Sequence, residues 1–175
     1  MNSSIAFREA TVEDADAIAD QIVASRDKVR DYDGGPEGTA DRFRGYIAGT
    51  HHPRFAKPPR KVCLALLDGR VVGHVACHLT TKQGFEAELQ SIFVRPEFQR
   101  RGLGTELLRM AVDWLRTQGA RSMMVGFHSD NEYRAFYLKY GGVLGALSRC
   151  EWHDLVKAAQ AASCGCHIRG PLSAR

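Results

Sequence analysis

The chain has 175 residues, 44% of them hydrophobic and 25% charged, with a formal net charge of +4. That is the balance of one globular domain with its own core, which excludes a collagen-like fibre and a disulfide-stapled miniprotein. The small positive excess, with both signs mixed along the chain, suits an anionic ligand and supplies no basic tail for nucleic acid.

Cys63, Cys77, Cys150, Cys164 and Cys166 are odd in number and scattered, which is no disulfide framework. They imply a reducing, cytoplasmic setting. The first residues hold no apolar signal region, and no apolar run approaches the ~20 residues of a membrane helix. No membrane partner is expected.

Ile5–Arg8 reads as a strand. Thr11–Ser25 reads as a helix, with Thr11 and Asp14 as a near capping box and an apolar stripe through Val12, Ala15, Ile18, Ala19, Ile22 and Val23. Asp31–Gly38 carries loop chemistry, and a second helix is predicted over Thr39–Ala48. His51–Arg60 holds three prolines and reads as a loop.

The period then changes. Lys61–Leu67 and Val71–Thr80 flank Asp68-Gly69, a strong hairpin signal. Ala87–Val94 is the third strand of the meander. Arg95–Gly104 is a loop, Thr105–Gln118 an amphipathic helix, and Ser122–Phe127 a strand. Asn131–Tyr140 reads as a helix, Val143–Leu147 as a strand, and Trp152–Ala162 as helical. Residues 1–163 are expected to form one domain, and 164–175 a flexible tail. The order defines an α/β protein with a mixed sheet, and its strand–loop–helix–strand portion requires a parallel pair.

The central feature is Gln99-Arg100-Arg101-Gly102-Leu103-Gly104-Thr105, which follows a strand and opens a helix. A helix start presents unpaired N–H groups and partial positive charge. Gly102 and Gly104 let the backbone approach an anion, Arg100 and Arg101 add charged donors, and a pyrophosphate fits there. No Lys follows the glycines, so this is no P-loop. Leu107 stands where a dinucleotide fingerprint needs its third Gly.

The stretch from Glu88 to Leu108, with its Gln-x-x-Gly-x-Gly loop, resembles the acetyl-CoA signature of the GCN5-related N-acetyltransferase (GNAT) family. A second block, Asn131-Glu-Tyr-Arg-Ala-Phe-Tyr-Leu-Lys-Tyr-Gly-Gly, resembles that family's later motif. The resemblance covers roughly residues 5–142. It implies a GNAT-like fold, a mostly antiparallel sheet in which Ala87–Val94 and Ser122–Phe127 splay apart around acetyl-CoA. It implies that the backbone of Phe93 and Val94 pairs with pantetheine, that Gln99 through Thr105 hold the pyrophosphate, and that Asn131 touches the pantetheine arm.

The same resemblance implies an acetyl-CoA-dependent N-acetyltransferase that transfers directly to a primary amine and needs no metal. A small-molecule amine is the first expectation, and a peptide or protein amine the second. A non-catalytic acyl-CoA sensor would keep the cleft without the chemistry. Tyr137 matches the family's acid near the CoA sulfur, since a phenol of pKa ~10 still carries its proton at neutral pH and has it to give to a thiolate. Glu88 falls where many members carry a general base. His78, predicted opposite Glu86–Glu88, is its rival, as is water. A backbone N–H near Phe93 is the candidate oxyanion donor.

Other chemical-looking residues carry less. Cys63 and Cys77 read as small core residues. Cys164-Gly-Cys166-His167 has the wrong spacing for zinc. His51-His52 reads as loop. Asp31, Asp33 and Glu37, if clustered at the acceptor side, would favour a cationic amine. Gly142 stands where the family usually has Phe, and only about ten residues separate it from Trp152. The closing hairpin is therefore short, or lacks a strand, or borrows one from a partner in a homodimer.

Overall fold

Asp68 and Gly69 both take positive φ, 49° and 83°. This is the backbone twist that turns one strand tightly into an antiparallel partner. It joins β2 (Ala56–Leu67) to β3 (Arg70–Thr80). The computed structural model describes residues 4–24, 35–127, 133–146 and 148–164. The remaining strands are β1 (Ile5–Glu9), β4 (Ala87–Val94), β5 (Met123–Gly126), β6 (Val143–Gly145) and β7 (Arg149–Trp152). They form one sheet in the order β1-β2-β3-β4-β5-β7-β6, antiparallel throughout except for β4 and β5.

Strand alternation sends side chains to two faces, and each face has its own helices. Val62, Leu64, Leu66 and Ala76 pack with Ile18 and Ile22 of α1 (Ala15–Ala24) and with Phe43 and Tyr46 of α2 (Gly35–Ala48). On the other face Cys63, Ala65, Val75, Cys77 and Leu89 pack with α3 (Leu103–Thr117) and α5 (Leu155–Cys164). In α3, Leu107, Leu108, Ala111 and Leu115 recur at helical spacing and are all buried. Each of its leucines contributes roughly 1.5–3 kcal/mol by leaving water. The short α4 (Arg134–Lys139) lays Tyr137 against the same core.

Several boundaries depart from the sequence expectation, each for a local reason. The first helix is interrupted: a 3-10 turn over Val12–Asp14 precedes α1. β2 starts at Ala56, inside the segment expected to be loop. Pro58 and Pro59 fall where its register with β3 shifts, between Lys57 and Arg60. Proline has no N–H to give a ladder, and a register break is where a strand tolerates it.

The closing hairpin is present and is the chain's own. β6 and β7 pair antiparallel, and β7 sits between β5 and β6. Trp152 ends β7 instead of opening a helix. α5 begins after Asp154, whose carboxylate accepts from the N–H of Val156 (2.9 Å) and Lys157 (3.2 Å). The helix runs to Cys164, and the rest of the expected tail lies outside the described residues.

Candidate active site

β4 is tied to β3 along its whole length, but its parallel pairing with β5 covers only Ala87↔Met123 and Glu88↔Met124. The cause lies one residue further on. Leu89 pairs with Cys77 and Ser91 with Ala76, so Gln90 is an extra residue in the strand. A bulge bends its strand and increases local twist, which here carries β4 away from β5. Among the described residues no strand pairs with the outer edge of Leu89–Val94, the stretch that holds the expected Phe93 and Val94.

The open edge leads into the glycine loop. Gln99 Nε2 donates to the carbonyl of Val94 (3.0 Å) and folds the loop back onto the strand end. Gly102 precedes α3 with φ 89° and ψ −7°, a conformation that disfavours any side chain. Helix geometry leaves the N–H groups of Leu103, Gly104 and Thr105 without acceptors one turn back. Leu103 buries its side chain in the core, and Thr105 Oγ1 is engaged by the Tyr140 hydroxyl at 2.6 Å. Both therefore have only backbone to offer a ligand. Arg100 is exposed with φ 59°, and the Arg101 guanidinium lies over the Phe98 ring at 5.8 Å.

Tyr137 packs beside the end of β5. Its ring stacks on Phe127 at 6.0 Å and meets Trp152 edge-on at 5.9 Å. Burial, with the Cys150 thiol nearby, pushes the phenol well above its ordinary value, so it keeps its proton at neutral pH. Asn131 lies outside the described residues, so its expected role is a proposal only.

Glu88 and His78 are direct partners across β3 and β4, as alternation implied. Both are buried. Glu88 Oε1 accepts from Lys82 Nζ at 2.7 Å. Its Oε2 lies 3.4 Å from His78 Nε2, within charge attraction but too skewed for a hydrogen bond. Burial disfavours the carboxylate, yet His78 and Lys82 outweigh it and hold its pKa below the ordinary value. His78 Nδ1 lies 2.9 Å from the Tyr46 hydroxyl, which also reaches the Cys77 carbonyl at 2.9 Å.

Between α1, α2 and the sheet lies a pocket of about 110 Å³. Ile22, Phe43, Tyr46 and Phe93 give it apolar walls. Gln90, Ser91, Arg42 and His51 give it polar ones. Ala76, between His74 and His78 on the same strand face, leaves the room. Glu88 and Glu37 are not among the lining residues, and Asp31 and Asp33 lie outside the described ones. The pocket opens past Arg42, His51 and Pro53 into a wider depression that includes His52 and Arg54. His51-His52, read as a plain loop, stands at this mouth.

Sequence reasoning missed Gln21, His74 and Ser91. His74 Nδ1 is 2.6 Å from Gln21 Oε1, and its Nε2 is 3.0 Å from Ser91 Oγ. Unbroken alternation from Glu88 puts Ser91 on the α3 face, and the extra residue at Gln90 moves it to the pocket. No residue type announces that bulge. Cys63 is an inert core thiol, pushed up to about 11 by burial, and Cys77 is shifted upward too.

A mixed sheet that splays beside a glycine-rich helix start defines an acyltransferase-like architecture, and comparison with known proteins agrees. A model of the Acetyltransferase (GNAT) family matches residues 26–142. The chain belongs to that family.

An uncharacterized N-acetyltransferase of Methanocaldococcus jannaschii is 33% identical over 81 residues, 43% of this chain and 35% of that protein. One from Archaeoglobus fulgidus is 33% identical over 82 residues, 43% of this chain and 55% of that protein. Among solved structures, the PaiA N-acetyltransferase of Thermoplasma acidophilum, in complex with coenzyme A, superposes with TM-score 0.66. It is 18% identical, over 85% of this chain and 98% of that one. A Brucella melitensis GNAT acetyltransferase with acetyl-CoA gives 0.60, at 23% identity over 85% and 87%. These structures establish the shared fold.

Proposed function

We propose that the chain is an acetyl-CoA-dependent N-acetyltransferase that moves the acetyl group directly to a primary amine of a small molecule. One observation carries the reading. A strand edge, Leu89–Val94, with which no described strand pairs runs into an anion-binding helix start at Gly102. That sequence of surfaces matches a ligand with an amide-bearing arm joined to a pyrophosphate. The coenzyme A and acetyl-CoA held by the two solved relatives support the same assignment.

The open edge near Phe93 and Val94 pairs with the arm, and Asn131 contacts it. Residues Gln99 to Thr105 hold the phosphates, with backbone donors from Leu103, Gly104 and Thr105 and charge from Arg100 and Arg101. A backbone N–H near Phe93 steadies the oxyanion. Tyr137 gives its proton to the departing sulfur, for which a neutral phenol is the suitable form. Glu88, expected as the general base, is held as a carboxylate by Lys82 and His78 and is not among the residues lining the pocket. The small aromatic pocket favours a small amine over a protein surface. Free thiols at Cys63, Cys77, Cys150 and Cys164 support a cytoplasmic setting. No helix among the described residues is long and apolar enough to cross a membrane.

Thiol release from acetyl-CoA across a panel of primary amines tests the reading. Tyr137→Phe is expected to lower kcat on the order of 100-fold while leaving acetyl-CoA affinity intact. Undiminished turnover in that variant would remove Tyr137 from the chemistry.

A further inference from the structure

A hydrogen-bonded chain, Gln21–His74–Ser91, lies at the acceptor pocket. His74 is fully buried, as is Gln21 on α1. Phe43 meets the imidazole edge-on at 5.2 Å and Phe93 covers it at 5.6 Å, so the ring has one setting. Gln21 Oε1 faces Nδ1, and an amide oxygen only accepts, so the ring hydrogen sits on Nδ1. In the neutral ring Nε2 then carries the lone pair and accepts from the Ser91 hydroxyl. Ser91 lines the pocket, so its Oγ is the end of the chain that meets an entering molecule. A hydroxyl, a histidine behind it and an orienting group behind that is the arrangement that activates an oxygen for proton transfer.

Resting on the acetyltransferase reading, we propose that Ser91 is a catalytic residue that takes the acceptor's proton and passes it to His74, which Gln21 positions. The bound ammonium gives a proton to Ser91 Oγ as the Ser91 hydroxyl proton moves to His74 Nε2. The amine lone pair then attacks the thioester carbon, the C–N bond forms and the C–S bond breaks. Tyr137 protonates the sulfur and is restored by the second proton lost from nitrogen. The first proton returns through Ser91 to solvent as product leaves.

His74 in its charged form donates to Gln21 Oε1 and Ser91 Oγ, so neither N–H is orphaned. Among the described residues its contacts include Gln21 from α1, Phe43 from α2, Ser91 and Phe93 from β4, and Leu64 across β2, all of them uncharged. The ionisable groups of the pocket itself are Arg42, Tyr46 and His51. Glu88 lines no part of it and is bound to Lys82.

Two readouts test this. Imidazole nitrogen resonances of 15N-histidine protein, with His74→Gln as the assignment control, are expected to put the His74 hydrogen on Nδ1 at neutral pH. A hydrogen on Nε2 would overturn the relay whether or not an acceptor is known. With an accepted amine, Ser91→Ala and His74→Gln are expected to lower kcat/KM on the order of 100-fold. They should also flatten the rising limb of the pH profile, with acetyl-CoA affinity unchanged. Ser91→Thr keeps the hydroxyl and the limb. A wild-type profile in Ser91→Ala contradicts the relay alone, as does an acetyl group on Ser91 after acetyl-CoA treatment, which would make it a nucleophile. A wild-type chain that binds no acetyl-CoA overturns the enzyme reading beneath it.

Discussion

Asp14 joins a strand to a helix with one carboxylate. Its oxygens accept from both terminal nitrogens of Arg8, at 2.7 Å each, and from the N–H of Thr11 at 2.8 Å. The Arg8 hydrogen bonds foremost lower its pKa from 3.8 to about 2. A carboxyl depressed in the folded state stabilises fully above its unfolded value, and that stabilisation is lost as the pH falls through the folded one. Asp14→Asn is therefore expected to cost about 1 kcal/mol at neutral pH, the usual value of a helix cap. Urea titrations should show the gap between variant and wild type closing between about pH 4 and pH 2. A gap constant with pH would mean that the charge plays no part. At this scale the sequence was informative where a residue's own chemistry decides. Thr11 and Asp14 read as a cap, and Gly102 meets its left-handed backbone. Ser91 was illegible because its face depends on an insertion in a strand, not on being a serine.

Gly142 explains how so short a hairpin closes the sheet. A Cβ there would overlap the Cys150 sulfur and sit 2.9 Å from the Trp152 ring. Both residues belong to β7, so β7 occupies the space that the family's usual Phe would fill. Gly142→Ala is expected to destabilise the fold by about 1–3 kcal/mol through overpacking. A drop in thermal midpoint measures it, and an unchanged midpoint would show that β7 shifts freely. Long elements were legible, β4 to the residue and α3 within two, because burial imposes a period over many positions. Of the β6–β7 hairpin only β6 was read as a strand, since the four residues of β7 hold too few alternations to show one. β2 was shortened in the reading because two prolines in a register break look the same as a loop.

The whole molecule divides its work across the sheet. On the proposed function, the helix start on the α3 face receives the anionic donor, the bulge in β4 opens the edge between β4 and β5, and the α1–α2 face shapes the acceptor pocket. Two motif blocks and the element order made the topology readable; the pocket was not, because its walls come from segments distant in sequence that carry no shared pattern. The most direct test of the account is a calorimetric titration of acetyl-CoA into wild-type protein and Gly102→Asp. Asp at that position strains a left-handed backbone and sets a negative charge against the phosphates. Micromolar binding in the wild type, weakened at least about 100-fold in the variant, is expected, since charge-assisted hydrogen bonds of ~1.5–3 kcal/mol are lost. Equal binding by both proteins, or by neither, would contradict a coenzyme cleft at this helix start.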